Sequence, residues 1–298
     1  MAKNENKKQQ EAIKEYLLNY GKRQKASDLF RRFIERVEFG TVKNDGTDEL
    51  LKIIDEQVID DKQKKFIKTL KVGKILYRAR IVEPEQLIES NGFHFNDGVM
   101  HGFDEAGSRE APIGLSAEGR NNIKGVSYFY AADNPETACA EVKSRVRQII
   151  SVAIFKVAKT LKIIDFSKDI TIVSDGEEVS LGALFTDIMF LYTRPVNDLK
   201  EYKATQFLTD YLRKTGVDGI CYRSYFDAKG INYTIFNSDH RNIEFVESNM
   251  YLHQSERKTY LDFNQQKVIN SYSVGGADYD YDSATKMLFN IERSIKKE

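Results

Sequence analysis

The chain has 298 residues, 41% of them hydrophobic, with 18 Phe and 16 Tyr. That is enough apolar surface for one large domain or a medium domain with an appendage. Its 45 basic and 45 acidic residues cancel, so there is no net field to draw the chain to a phosphate polymer, and nucleic acid is set aside as a partner. Two cysteines, Cys139 and Cys221, are too few for a disulfide framework, and no apolar run is long enough to cross a membrane. Both thiols read as buried and free, and a reducing cytoplasm is the expected location.

The first seventy residues read as helical and charged. Ala12, Ile13, Tyr16, Leu17 and Leu18 give a first helix over 6–19, with Gly21 as its stop. Ser27 is placed to cap a second helix, in which Leu29, Phe30, Phe33, Ile34 and Val37 recur at helical spacing. A third helix is predicted over about 48–70 from Leu50, Leu51, Ile53, Ile54, Val58 and Ile59. None of this segment carries chemistry, and residues 1–71 form an expected accessory layer.

From Val72 the character changes. Ile75-Leu76-Tyr77-Arg78-Ala79-Arg80 has the composition of a strand, and alternation puts Leu76, Arg78 and Arg80 on one face. Residues 90–118, rich in Gly, Asn, Asp and Ser, read as one long loop. A strand is expected over 126–131. Asn134-Pro135-Glu136 then opens a helix with a cap, a proline at the first helical position and an early acid. Strands follow over 149–157 and 161–166, helices over about 179–193 and 201–215, and strands over 217–222, 232–236 and 243–246. Strands and helices do not alternate as βαβ units, so the fold class is α+β. The main domain spans 72–248, and 249–298 is a polar tail. Within it, 275–282 is acidic and flanked by Gly275 and Gly276, and 283–296 is a predicted terminal helix.

Several chemistries lack their motifs. The histidines His94, His101, His240 and His253 have no paired helical spacing, so no metal centre is indicated. There is no phosphate-cradling P-loop, no glycine-rich dinucleotide fingerprint and no Gly-x-Ser-x-Gly elbow. Three features remain. Arg78 sits on a mainly apolar strand, where a guanidinium needs an anion or carboxylate. Gly119-Arg120-Asn121-Asn122 precedes the strand containing Tyr130, and Glu141 lies among the small residues of the next helix. Ser224 ends a strand, a common support for site residues. Each has a plain structural alternative: an Arg78–Glu141 ion pair, a loop cap by Arg120, core packing by Tyr130 and a turn start at Ser224.

Together these pieces resemble the RES family, named for its Arg, Glu and Ser. The likeness runs over 73–246 through Leu76-Tyr77-Arg78, Gly119-Arg120-Asn121, Tyr128-Phe129-Tyr130-Ala131-Ala132 and Glu136-Thr137-Ala138-Cys139-Ala140-Glu141. It continues through Tyr202-Lys203-Ala204-Thr205-Gln206, the run from Gly216 to Ser224, and Gly230-Ile231-Asn232-Tyr233. Asn121 stands where the family often has an aromatic residue, and the 90–118 segment is longer than in minimal members.

The resemblance implies a fold similar to ADP-ribosyltransferases and an activity that consumes NAD as substrate, with no separate cofactor. It further implies a toxin held by an inhibitory antitoxin, and it is compatible with a homo-oligomer. On that basis Glu141, Arg78 and Ser224 are the candidate catalytic residues, and Arg120, Tyr130 and Asn121 the candidate substrate-binding ones. Hydrolysis or phosphorolysis of the nicotinamide–ribose bond is the first expectation. Transfer of ADP-ribose to a protein is the alternative, and a non-catalytic interaction module is a third reading.

Overall fold

The computed structural model describes residues 2–43, 48–59, 66–89, 92–96, 99–168, 171–174, 176–180, 202–224, 226–227, 229–253, 256–262 and 267–274. The acidic 275–282 segment, the terminal helix over 283–296 and most of the helix expected over 179–193 lie outside the described residues.

The chain opens with helices α1 (Ala2–Glu38) and α2 (Glu49–Ile54), a π-helical turn (Asp55–Ile59), and strands β1 (Ile67–Leu70) and β2 (Ile75–Val82). Helix α3 (Pro84–Glu89), strands β3 (Phe93–Asn96) and β4 (Val99–Phe103) and the short helix α4 (Glu105–Ser108) follow. Next come β5 (Phe129–Ala132), α5 (Pro135–Glu141), β6 (Ile149–Val157), β7 (Leu161–Asp165), β8 (Thr171–Ser174) and β9 (Glu177–Ser180). The described residues end with helix α6 (Lys203–Lys214) and strands β10 (Gly219–Arg223), β11 (Ile231–Ile235), β12 (Ile243–Leu252), β13 (Glu256–Asp262) and β14 (Lys267–Val274). Helices and strands of both relative orientations make an α+β fold.

The chain divides into two compact units. The first takes Met1–Leu70, Ala111–Tyr128 and Leu161–Asn237. Its strands run in the order β1, β7, β10, β11: β1 and β11 are antiparallel to their neighbours, and β7 and β10 are parallel to each other. Ala26, Leu29, Phe30 and Phe33 of α1 are all buried and share a core with Leu50, Leu51 and Ile54 of α2, Leu208 and Leu212 of α6, and Ile164 and Ile220 of the sheet. That stripe explains why α1 runs through Ser27, where the sequence suggested a new cap; α1 also runs through Gly21, where it suggested a stop. Asp48 caps α2, its Oδ1 accepting from Leu50 N at 3.0 Å, while Arg36 Nε donates to its Oδ2 at 2.7 Å. The end of the expected third helix is a strand instead. Ile67, Lys68, Thr69 and Leu70 pair with β7, where β-branched Ile and Thr suit a pleated surface.

The second unit takes Lys71–Glu110, Phe129–Thr160 and Ser238–Glu298. Its strands run β5, β2, β6, β12, all antiparallel to their neighbours. The central pair keeps register from Ile75↔Lys156 to Val82↔Ile149. Alternation separates two faces. On one, Ala79, Ala132, Ile150 and Val152 pack against Ala138 and Cys139 of α5. On the other, Val82 and Ile149 pack with Phe93, Phe103 and Met250. The 90–118 segment is therefore not one loop: its Phe93 and Phe103 rings stack at 4.8 Å and fix the β3–β4 hairpin. Strand character also extends beyond Val246. After a bulge between Phe245 and Glu247, β12 stays paired with β6 to Leu252↔Ile149, and β13 and β14 form a hairpin in the segment that reads as polar tail.

Candidate functional site

Among the six candidates, Arg78, Tyr130 and Glu141 lie in the second unit, and Arg120, Asn121 and Ser224 in the first. Each group has its own support.

Arg78 is on β2, on the face it shares with Leu76 and Arg80. Its Nε donates to Ser108 O at 3.1 Å and its Nη1 to Tyr130 O at 3.0 Å, with the guanidinium 5.8 Å from the centre of the Phe129 ring. Burial, and then repulsion from Arg80, push its pKa down to about 10, against the attraction of Glu110. Two of its N–H groups thus hold backbone carbonyls, and the charge has a desolvation cost.

Helix α5 packs on the opposite face. Asn134 caps it, its Oδ1 accepting from Thr137 N at 2.7 Å, with Pro135 next, as the sequence predicted. Ala138 and Cys139 meet Ala79 and Ala132, small side chains that allow a close approach, and Ile150 and Val152 complete the cluster. Glu141 is the last residue of α5 and is half-buried. Tyr77 pairs with Ala132, so alternation along β5 puts the half-buried Tyr130 ring on the α5 side and Phe129 on the Arg78 side. Phe129 confirms this by meeting Phe155 edge-on at 4.8 Å. Tyr130 and Glu141 are brought to one face. Arg78 reaches the same strand from behind, through the Tyr130 carbonyl.

Sequence reasoning missed a second guanidinium. Arg109 donates to Ser238 O at 2.7 Å and Ile243 O at 2.8 Å, pairs with Glu105 at 2.8 Å, and lies 5.6 Å from the Phe155 ring centre. Three of its partners are backbone atoms or a ring from distant segments. The only sequence signal is an arginine in a stretch that otherwise reads as loop.

In the first unit the Arg120 turn is held by neutral side chains. Gln206 Nε2, from α6, lies 2.9 Å from Gly119 O, 3.1 Å from Asn122 O and 2.9 Å from Glu118 Oε1. Thr205 Oγ1 donates to Arg120 O. Asn121 is buried, its Nδ2 donating to Thr234 Oγ1 at 3.0 Å and its Oδ1 accepting from Thr209 Oγ1 at 3.3 Å. Asn122 Nδ2 reaches Ala117 O at 2.9 Å and Val126 O at 2.8 Å. Asn121 therefore locks the loop from inside, which explains a small amide where an aromatic residue was the family expectation. Arg120 itself stays half-buried.

Ser224 directly follows β10 and is buried. Its Oγ accepts from Phe226 N at 3.1 Å and Asp227 N at 3.2 Å, and its own N–H donates to Gly230 O at 2.8 Å, so the hydroxyl organises the turn. Three residues back, on β10, Cys221 Sγ lies 3.2 Å from Asp165 Oδ1, and burial together with that carboxylate pushes its thiol pKa up. Both cysteines are buried and free, as the sequence suggested. Among the described residues, no helix is long and apolar enough to cross a membrane, and no group of His, Cys, Asp and Glu is arranged to hold a metal ion.

Comparison with known proteins gives three findings. Residues 94–255 match the family model of the RES domain. That span holds Arg120, Asn121, Tyr130, Glu141 and Ser224 and begins after Arg78. Comparison with the curated proteins gives no match. Among solved structures, the chain is similar to one in the crystal structure of the M. tuberculosis MbcT–MbcA toxin–antitoxin complex. The two are 12% identical over 62% of this chain and 87% of that one, with a TM-score of 0.35.

Proposed function

Because this chain belongs to the RES domain family, we propose that it cleaves the nicotinamide–ribose bond of NAD, by hydrolysis or phosphorolysis, and acts as a toxin that depletes NAD. The observation that carries the reading is the family match over 94–255, which contains the glutamate, the serine and Arg120 together with Tyr130. Placement of Tyr130 and Glu141 on one face of the second unit supports it.

Breaking the C–N bond leaves its electron pair on nicotinamide and positive charge on the ribose, as in glycoside cleavage. A fixed carboxylate stabilises that charge as it develops, and it can take the proton lost when water attacks the ribose carbon. Glu141 has that role. The products are nicotinamide and ADP-ribose with water, or ADP-ribose 1-phosphate when phosphate attacks. The Tyr130 ring offers a flat surface for nicotinamide, and Arg78 holds the strand that carries it. Arg120 supplies the guanidinium fork that a pyrophosphate matches, and Asn121 serves it by locking its loop. The Ser224 hydroxyl binds a phosphate or ribose oxygen. The partner this reading calls for is an inhibitory antitoxin in the same cell.

The test is nicotinamide release by the purified chain. Glu141→Gln is expected to keep the fold and NAD binding while losing roughly 100-fold or more of turnover. Near-normal release by that variant removes Glu141 from the chemistry. Label from NAD appearing on protein instead of as free ADP-ribose or its phosphate moves the assignment to ADP-ribosyl transfer.

A further inference from the structure

Seven residues, 142–148, connect α5 to β6, and the conformation of that connection is unusual. Among the described residues, Lys143 (φ 51°) and Arg147 (φ 74°) are the non-glycine positions with positive φ. Side chains disfavour this region, and such strain persists only where surrounding contacts over-determine it. Lys143 follows Val142, the C-cap of α5, in the position where helices usually place glycine.

The contacts that impose the conformation come from the end of β12. Ser144 and His253 are both buried. His253 Nδ1 lies 2.9 Å from Ser144 Oγ and 3.1 Å from Ser144 O. The bare nitrogen accepts from the hydroxyl, and the protonated nitrogen donates to the carbonyl, so one tautomer or the other always ties the residue down. The backbone is stitched on either side, with Arg147 N donating to His253 O at 2.6 Å and His253 N to Gln148 O at 3.0 Å. Gln148 Oε1 also accepts from Arg145 N at 2.6 Å. Glu141 is two residues before Lys143 and three before Ser144, so the direction in which α5 ends is set by this strained, doubly pinned turn.

We infer that the Ser144–His253 pair is a positioning device for Glu141, holding the turn after α5 in a strained conformation that fixes the orientation of the glutamate carboxylate. The inference rests on the reading of Glu141 as the catalytic carboxylate. His253 acts through Ser144 and the backbone. Strain kept at this one connection, and secured by a buried pair from a distant strand, follows the pattern in which local stability is given up for geometry at a site.

The experiment measures nicotinamide release and thermal unfolding of the full chain for wild type, His253→Leu, His253→Asn, Lys143→Gly, Ser144→Ala and Glu141→Gln. His253→Leu is expected to lower kcat roughly 10-fold or more, since small misplacements of a reacting group carry losses of that order. KM should stay near wild type. His253→Asn, whose amide can stand in for Nδ1, should recover most of that loss. Lys143→Gly should raise Tm while lowering kcat, because glycine relieves the strain and frees the turn. A turn that served stability alone would not give that opposition. Folded His253→Leu with kcat within about 2-fold of wild type, or a loss that His253→Asn does not restore, overturns the inference. If His253→Leu does not fold, Lys143→Gly and Ser144→Ala decide it by the same kcat criterion. Glu141→Gln separates the two levels: if it keeps turnover, the assignment of Glu141 has failed. If it loses turnover while the turn variants stay active, only the positioning claim has failed.

Discussion

The two units solve one problem, holding irregular chain in place, with different chemistry. In the first, the 117–126 segment is fixed by buried neutral groups: Gln206, Asn121, Asn122, Thr205, Thr209 and Thr234. In the second, Ser151 and Ser248 hydroxyls hold Phe103, and guanidinium groups do the rest: Arg78 and Arg109 donate to carbonyls of the 103–110 segment and of the ends of β5 and β12. A neutral amide enters the interior at a smaller desolvation cost than a charge, and each of its hydrogen bonds contributes a net of about 1 kcal/mol. A guanidinium reaches more acceptors and spans more distance, but part of what its bonds contribute is offset by leaving water. The depressed pKa of Arg78 is that offset seen from the titration side.

The comparison can be broken by removing one clamp from each unit. Gln206→Leu leaves the Gly119 carbonyl without its side-chain donor and removes one of the two N–H groups on the Asn122 carbonyl, which keeps Gly119 N at 2.9 Å. The expected loss is about 2–3 kcal/mol, from one unmet acceptor at 1–3 kcal/mol together with the lost bonds to Asn122 O and Glu118 Oε1. Arg78→Met takes a donor from two carbonyls, those of Ser108 and Tyr130, but it removes a desolvated charge and the repulsion with Arg80. A smaller loss of about 1–2 kcal/mol is expected. Denaturant midpoints at constant m-value report both numbers. If Arg78→Met proves the more damaging, the distinction between neutral and charged clamps is wrong. A control outside both clamps is Asp210→Asn, which breaks the exposed pairs with Arg213 and Lys214 at 2.9 and 2.6 Å. Exposed pairs contribute little, so a change within about 0.5 kcal/mol is expected.

How much of this was legible from sequence follows the same divide. Local rules carried α5, whose cap and proline are adjacent in sequence, and β6, whose run Ile149-Ile150-Ser151-Val152-Ala153-Ile154 is unmistakably β-branched. They failed where a tertiary partner decides. Residues 67–70 become a strand because β7 is there to pair with, and Phe93 finds Phe103 across a stretch whose composition says loop. At the site, the types of residue were legible but their partners were not. Arg78 was expected to seek an anion, yet its Nε and Nη1 acceptors are carbonyls, which every residue has and which leave no mark in a sequence. Gln206 lay inside a quoted motif without an assigned task for the same reason, since two of its three acceptors are backbone oxygens.

The smallest expected effect sharpens the contrast between the units without altering either. Each contains one buried free cysteine. Cys221 lies on β10 between β7 and β11, and its thiol is pushed up by burial and by Asp165. Cys139 lies on the seven-residue helix α5, in a cluster with Ala79, Ala132, Ala138, Ile150 and Val152. Thiolate is the reactive form, so neither should label with an alkylating reagent in the native state at pH 8, and labelling should wait for local opening. A helix of only seven residues should open before a strand bonded on both sides. Under mild denaturant, Cys139 is therefore expected to label several-fold faster than Cys221, as followed by mass spectrometry of digested protein. Equal rates would mean that the two units open as one cooperative block, and the separate treatment of their clamps would have to be given up.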